Sequence, residues 1–273
     1  MNIVENAIWQ VESNIHRAPT LEEIARACRV TPSHLTRVFS GTTGMSLMRY
    51  GRARRLSEAA RILALGVPDI LGLALDAGYG SHEAFSRAFR EQFGVTPESV
   101  RDGRSTLHLT LTEPLAMDAS PQLVLAEPRF ETRKPMVLAG LVQIFAPDKI
   151  GAIPSLWEKF NAFNGTVPHV VGHCAYGASL SWDEDKGCEY MAACEVDRTD
   201  DLPAEFEIRK LPAGIYARFS QPGHITLIRA TIGTIWTSWL PQSGRSVDET
   251  LPVMEFYVPS FNAENGHGGV EIW

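Results

Sequence analysis

A pattern of four positions near the start of this 273-residue chain returns fifty positions later, three of them with the same residue. Leu35, Arg37, Phe39 and Gly44 recur as Phe85, Arg87, Phe89 and Gly94. Ala25 and Cys28 recur as Ala74 and Ala77, 49 positions later, so one turn is a residue longer. Each copy reads as a short helix, a tight turn and a helix that opens on polar residues. That is the helix-turn-helix pattern, whose second helix enters the major groove of DNA.

The local signals support helices throughout this region. Val4, Ala7, Ile8, Val11 and Ile15 fall on one helical stripe. Thr20 with Glu23 is a capping box, which starts a helix at Leu21 and ends it near Cys28. Thr31 caps a helix with Pro32 at its first position, Asp69 and Ser81 cap two more, and Thr96-Pro97-Glu98 opens a last one. Ser46 to Ala64 is a long helix of about 28 Å between the copies. That length approaches one DNA turn of ~34 Å, so the two recognition helices suit two successive major-groove segments of double-stranded DNA. Seven helices without a strand signal predict an all-α domain with two helix-turn-helix units over 1–104.

The net charge of -7 argues against DNA only until it is divided along the chain. Residues 1–104 hold 13 Arg, no Lys and 11 acids, a formal +2. The remaining residues hold 12 basic and 21 acidic side chains, a formal -9. The asymmetry predicts two domains with different partners. In the first recognition helix Leu35, Val38 and Phe39 form the buried stripe, leaving Ser33, His34, Thr36 and Arg37 for water or DNA. In the second, Phe85, Ala88 and Phe89 face inward, leaving His82, Glu83, Ser86 and Arg87. Arginine matches guanine O6 and N7, and hydroxyls match base edges or phosphates. Arg49, Arg52, Arg54 and Arg55 lie on the linking helix, whose geometry cannot put all four on one face.

Residues 5–102 resemble the AraC/XylS DNA-binding domain. The resemblance rests on Gly78-Tyr79-Gly80-Ser81, Phe85-Ser86-Arg87-Ala88-Phe89 and Phe93-Gly94-Val95-Thr96-Pro97, with Leu21–Ala25 and His34–Phe39 matching its first half. It implies base-reading roles for Ser33, Thr36, Arg37, His82, Glu83, Ser86 and Arg87. Ser33 is small where some relatives place a larger reading side chain. The resemblance also implies RNA polymerase as a partner and is compatible with a monomer on DNA.

Residues 105–122 read as a polar linker with a short strand at Leu107–Thr112. Beyond it the pattern is βαββ twice over 123–273, which predicts an α+β domain. The first round is a strand at Met136–Phe145, a helix at Ile153–Asn164 and a hairpin of His169–Ser181 with Cys188–Val196. The second is a strand at Phe206–Phe219 broken near Pro212, a helix at Ile225–Leu240, and strands at Val253–Val258 and Gly269–Trp273. Along Val253–Val258, Met254, Phe256 and Val258 point one way, read as toward the helices, and Glu255 and Tyr257 the other.

This half resembles the GyrI-like effector-binding domain. The matching segments are Ile153–Trp157, Tyr190–Val196, Leu211–Ala217, Trp239-Leu240-Pro241 and Pro252–Tyr257, with Ala193 where that family usually has Gly. The domain order is that of Rob-type activators. The resemblance implies a concave pocket between the two repeats, lined by aromatics over an acid. Trp157, Tyr190 and Trp236 are the candidate walls, with Glu255 and Tyr257 on the strand. An acid among aromatics suits an organic cation, through charge pairing and cation–π contact.

No GxSxG, P-loop or GxGxxG motif is present. Cys28, Cys174, Cys188 and Cys194 lack disulfide or zinc spacing and predict free thiols, and the His169/His173 pair matches no closed metal pattern. The N-terminus lacks a signal-peptide pattern, and no apolar run is long enough to span a bilayer. These features predict a cytoplasmic regulator that uses no cofactor or metal, does not associate with membranes and is not an enzyme. The alternative is a hydrolase of reactive small molecules fused to a DNA-binding domain.

Overall fold

A computed structural model describes residues 2–67, 69–115, 123–184, 186–221, 223–263 and 265–273, with backbone alone at 147, 148, 173 and 174. The chain divides into two compact units, Met1–Leu35 with Met45–Asp118, and Thr36–Gly44 with Ala119–Trp273.

The helices begin and end where the caps place them. They are α1 (Ile3–Ser13), α2 (Leu21–Cys28), α3 (Pro32–Thr43), α4 (Leu47–Ala64), α5 (Ile70–Asp76), α6 (His82–Phe93) and α7 (Pro97–Gly103). Thr20 and Glu23 form the expected capping box. Gly44 and Gly94 both take positive φ, 77° and 73°, which ends α3 and α6 in the left-handed region where glycine is least strained. One core of the first unit gathers Leu56, Leu63, Ile70, Leu73, Phe85, Phe89 and Val100.

The segment read as a linker is docked on α4 as far as Leu115. Tyr50, Arg54, Ser57 and Arg61 recur at helical spacing along one face of α4 and hold it. Arg54 donates to both Glu12 oxygens, to Glu58 and to the Thr112 carbonyl, each at 2.9 Å. The Thr112 amide donates to Ser57 at 2.9 Å and the Leu115 amide to the Tyr50 hydroxyl at 3.1 Å. Arg61 pairs with Glu113, and Leu109 and Leu111 pack on the core. The strand expected at Leu107–Thr112 does not form, and Leu107 is exposed on a turn. Its alternating threonines and leucines pair with a helix face instead of another strand.

The second unit holds β1 (Arg129–Arg133), β2 (Met136–Phe145), α8 (Ile153–Asn161), β3 (Val170–Asp183), β4 (Gly187–Val196), β5 (Glu207–Leu211) and β6 (Gly214–Ser220). It continues with α9 (Ile228–Thr234), a wide-turn segment Ile235–Trp239, α10 (Leu240–Ser243), β7 (Val253–Tyr257) and β8 (Val270–Ile272). The strands form one sheet in the order β1-β6-β8-β7-β3-β4-β2-β5. The β2-α8-β3-β4 repeat fills one half, and β6-α9-β7-β8 the other. β1 and β5 extend the two outer edges. β1 was not expected, because Arg-Phe-Glu-Thr-Arg carries no apolar face. It is held by charge instead: Arg129 and Arg218 pair with Glu271, Arg218 and Arg133 with Glu131, and Arg133 with Glu195.

The two faces of β7 are the reverse of the sequence reading. Met254 and Phe256 pack in a core built from strands, with Met136, Leu138, Tyr176, Tyr216 and Trp273. Met136 and Tyr216 come from opposite ends of the strand order, so the sheet curls to bring them together. The helices cover the other face, where Trp157 of α8 meets Tyr257 at 4.7 Å between ring centroids. Alternation separates two faces but does not say which one the helices cover.

A fragment ending at residue 104 is expected to be less stable than one ending at 115 by about 1–3 kcal/mol. It loses the Thr112 and Leu115 bonds and the cover of Leu109 and Leu111. Urea denaturation of the two fragments measures the difference, and equal midpoints would mean the segment is not part of this fold.

Candidate functional site

In α6 the inward and outward faces are as expected. Phe85 and Phe89 are fully buried, Glu83 and Arg87 are exposed, and His82 and Ser86 are half-buried. Ser81 caps the helix by accepting from the Ala84 amide. The His82 Nε2 lies 3.0 Å from Glu98 Oε1 at the start of α7. In α3, Ser33 is exposed. Thr36 and Arg37 are buried, contrary to the expectation that they face water. Both fall within the second unit, where the Thr36 hydroxyl donates to Glu184 at 2.7 Å and Arg37 lies in the field of Glu249.

The linking helix sorts its arginines. Arg49 and Arg52 are exposed, which suits phosphate contact. Arg54 is committed to Glu12, Glu58 and Thr112 and is structural. Arg55 is half-buried, and withdrawal from water pulls its guanidinium below the usual range.

In the second unit Glu255, Tyr257, Tyr190 and Trp157 converge. The hydroxyls of Tyr190 and Tyr257 both donate to Glu255 Oε2, each at 2.7 Å. The Trp157 indole donates to the Tyr190 hydroxyl at 3.1 Å and its ring meets Tyr257 edge-on. These contacts do not run through Trp236, which is buried on Ile235–Trp239. Trp239 packs in a core with Phe219, at 4.8 Å.

Gly177 was missed in the sequence and makes the arrangement possible. It lies on β3 directly across from Glu255 on β7 and from Ala192 on β4. A Cβ there would stand 2.8 Å from Glu255 Oε2 and closer still to the Tyr190 hydroxyl. The hydroxyl occupies the space that any other residue's side chain would fill. A glycine inside a strand is the available sequence signal for such a close approach.

The electrostatics follow from withdrawal of the acid. Glu255 is half-buried, and loss of water raises its carboxyl above the ordinary range. The two tyrosine hydroxyls stabilise the charge and offset part of that shift. Burial, with the Glu255 charge beside them, pushes both tyrosines well up. Cys28, Cys188 and Cys194 are free. Burial raises Cys28 and Cys194 to about 11 and Cys188 to about 12, so none is a thiolate near neutrality. The side chains of His173 and Cys174 lie outside the described residues. Among the described residues, no group of three or more His, Cys, Asp or Glu is placed to hold a metal, and no helix is long and apolar enough to cross a membrane.

Gly177→Ala is expected to push the Tyr190 hydroxyl off Glu255 and to destabilise the protein by about 1–3 kcal/mol. Chemical denaturation gives the loss. Wild-type stability with an unchanged tyrosine environment by NMR would refute the close-approach role.

Comparison with known proteins places both halves. Residues 126–273 match the GyrI-like small molecule binding domain, and residues 24–103 match a helix-turn-helix domain. The chain is 25% identical over 278 residues to the transcriptional regulator Rob of Salmonella typhimurium, covering 99% of this chain and 95% of that one. The right origin-binding protein of Escherichia coli K12 matches with the same identity and coverage. The HTH-type transcriptional activator AarP of Providencia stuartii is 33% identical over 99 residues, 36% of this chain and 73% of that one. The chain therefore belongs to the GyrI-like family, carried behind an AraC-type helix-turn-helix domain, and is a DNA-binding transcriptional regulator with a small-molecule-binding half.

Proposed function

We propose that this chain is a cytoplasmic activator that binds two successive major-groove segments through residues of 1–104, acts with RNA polymerase, and is controlled by an organic cation bound within 123–273. The observation that carries the ligand reading is Glu255, a half-buried acid held by two tyrosine hydroxyls beside the Trp157 ring. A carboxylate supplies charge, and the aromatic faces supply cation–π attraction in a partly desolvated site. Tyr257, Tyr190 and Trp157 are the ligand-facing aromatics of this reading, with Trp236 as a further candidate wall. On the DNA side Ser33, His82, Glu83, Ser86 and Arg87 are the accessible proposed readers, and Thr36 and Arg37, buried in this structure, join them in this reading only when exposed. The relatives are transcriptional regulators, and a sensor does not consume its signal, so catalysis is not part of the function. A carboxyl raised by burial also suits a general base, and turnover of a bound ester would favour the hydrolase reading.

Two outcomes test this. Arg87→Ala should weaken binding to the preferred duplex by about 1–3 kcal/mol at fixed salt, read by mobility shift. Unchanged affinity would remove Arg87 from the interface.

The second test uses an aromatic quaternary ammonium and its neutral carbon isostere in calorimetric titrations. Because the Glu255 carboxyl is raised, it holds a proton at a pH where free glutamate is ionised. A cation must displace that proton, so its affinity rises with pH until the carboxyl ionises and then levels off. The stability that the protonated form contributes is present at low pH and fades as pH rises through the raised value, where cation binding restores it. Glu255→Gln should flatten the pH dependence and cost the cation about 1.5–3 kcal/mol, while the neutral isostere changes little. Equal losses for both ligands would make Glu255 structural.

A further inference from the structure

The two helix-turn-helix copies can be compared residue by residue at an offset of fifty. α3 and α6 start at Pro32 and His82 and have 12 residues each. Thr31 and Ser81 cap them by accepting from the His34 and Ala84 amides. α4 and α7 start at Leu47 and Pro97, both buried. Ser46 and Thr96 cap these by accepting from the Arg49 and Ser99 amides. Among the positions where the copies differ, two bear on each other. The first residue of the recognition helix is Pro32 in one copy and His82 in the other. The second residue of the following helix is Met48 in one and Glu98 in the other.

In the second copy the divergent residues touch. His82 Nε2 lies 3.0 Å from Glu98 Oε1, with each side chain 39% exposed. Ser86, one turn along α6, places its hydroxyl 3.5 Å from the same nitrogen. Glu98 stands on a rigid base, because Pro97 beneath it and Val100 beyond it are buried and Thr96 caps the turn. A carboxylate only accepts hydrogen bonds, so the ring nitrogen facing it carries the hydrogen. In the neutral ring that leaves Nδ1 as an acceptor. In the major groove an acceptor is matched by the amino groups of adenine and cytosine, while guanine and thymine present only acceptors there.

We propose that Glu98, which lies outside the recognition helix, determines specificity by fixing His82 so that, at a pH where the imidazole is neutral, it selects an amino-bearing base, adenine or cytosine, at one position of the DNA site. The inference rests on the reading of DNA by α6. It assigns Glu98 a positioning role: His82 touches the base and Glu98 sets its tautomer. Glutamine at 98 can donate or accept, which frees the ring to present either edge.

The test is selection from a randomised duplex library by the full-length chain, as wild type, Glu98→Gln and His82→Ala. Wild type should enrich adenine or cytosine at one position by about tenfold over guanine and thymine. Both variants should reduce that preference to roughly twofold or less at the same position. Preferences elsewhere, the salt slope of affinity and the melting temperature should stay at wild-type values, since no phosphate contact is removed. The proposal is overturned if Glu98→Gln keeps the preference, if it weakens every position alike, or if His82→Ala acts at a different position. A wild-type protein that selects no sequence would overturn the DNA reading and this inference with it. A selecting wild type with an unchanged Glu98→Gln profile would overturn this inference alone.

Discussion

An antiparallel sheet whose strands all carry apolar residues has two faces to keep from water, and here the repeats supply helices for one face only. The second unit resolves this by curling, so that Met136 of β2 and Tyr216 of β6 meet over Met254 and Trp273. The placement of Glu255 follows. Once Met254 and Phe256 are inside the curl, Glu255 and Tyr257 must project to the helix side, and there α8 brings Trp157 against them. A carboxylate on that side is withdrawn from water and requires partners. The tyrosine hydroxyls provide them within the unit.

The same demand for pairing organises the first unit. Arg54 is almost fully buried in the middle of α4, where an unpaired guanidinium would be strongly destabilising. Glu12 reaches it from α1, Glu58 from its own helix and Thr112 from the extended segment that follows α7. One cation thus fixes α1, α4 and the chain leaving the domain.

Much of this was legible in the sequence, and the misses share a cause. Caps and periodicity are local, so Thr20, Thr31, Ser46, Asp69, Ser81 and Thr96 located six helix starts, and the alternation around Glu255 separated the two faces of β7. The failures are cases in which charge or space stood in for hydrophobic patterning. β1 is an edge strand held by arginine–glutamate pairs, and the segment after residue 104 is extended but pairs with a helix. Arg54 reads like its exposed neighbours Arg49 and Arg52, because nothing local distinguishes a solvated arginine from one that meets Glu12 forty-two residues away. Gly177 carries its meaning through two strands that lie elsewhere in the chain. The buried state of Thr36 and Arg37 likewise depends on residues far along the sequence, Glu184 and Glu249.

Both halves are doubled, and in both part of the proposed chemistry lies where the copies disagree. The agreement is structural: paired caps, paired glycines at positive φ, and buried Phe39 and Phe89, all of which any helix-turn-helix needs whatever it reads. Shared positions of that kind cannot carry selectivity for one copy over the other. Selectivity needs a difference, and His82–Glu98 against Pro32–Met48 is one. In the sheet, β3 and β7 hold matching places in the two repeats and lie side by side, yet one offers Gly177 and the other Glu255 at the point where they face each other. Two acids there would repel across the strand pair, and two glycines would leave nothing to bind a cation. Only the unequal pair gives a charge with room above it for the Tyr190 hydroxyl. Duplication therefore supplies a stable frame in each half, and positions where the equivalence is broken set the proposed sites apart from that frame.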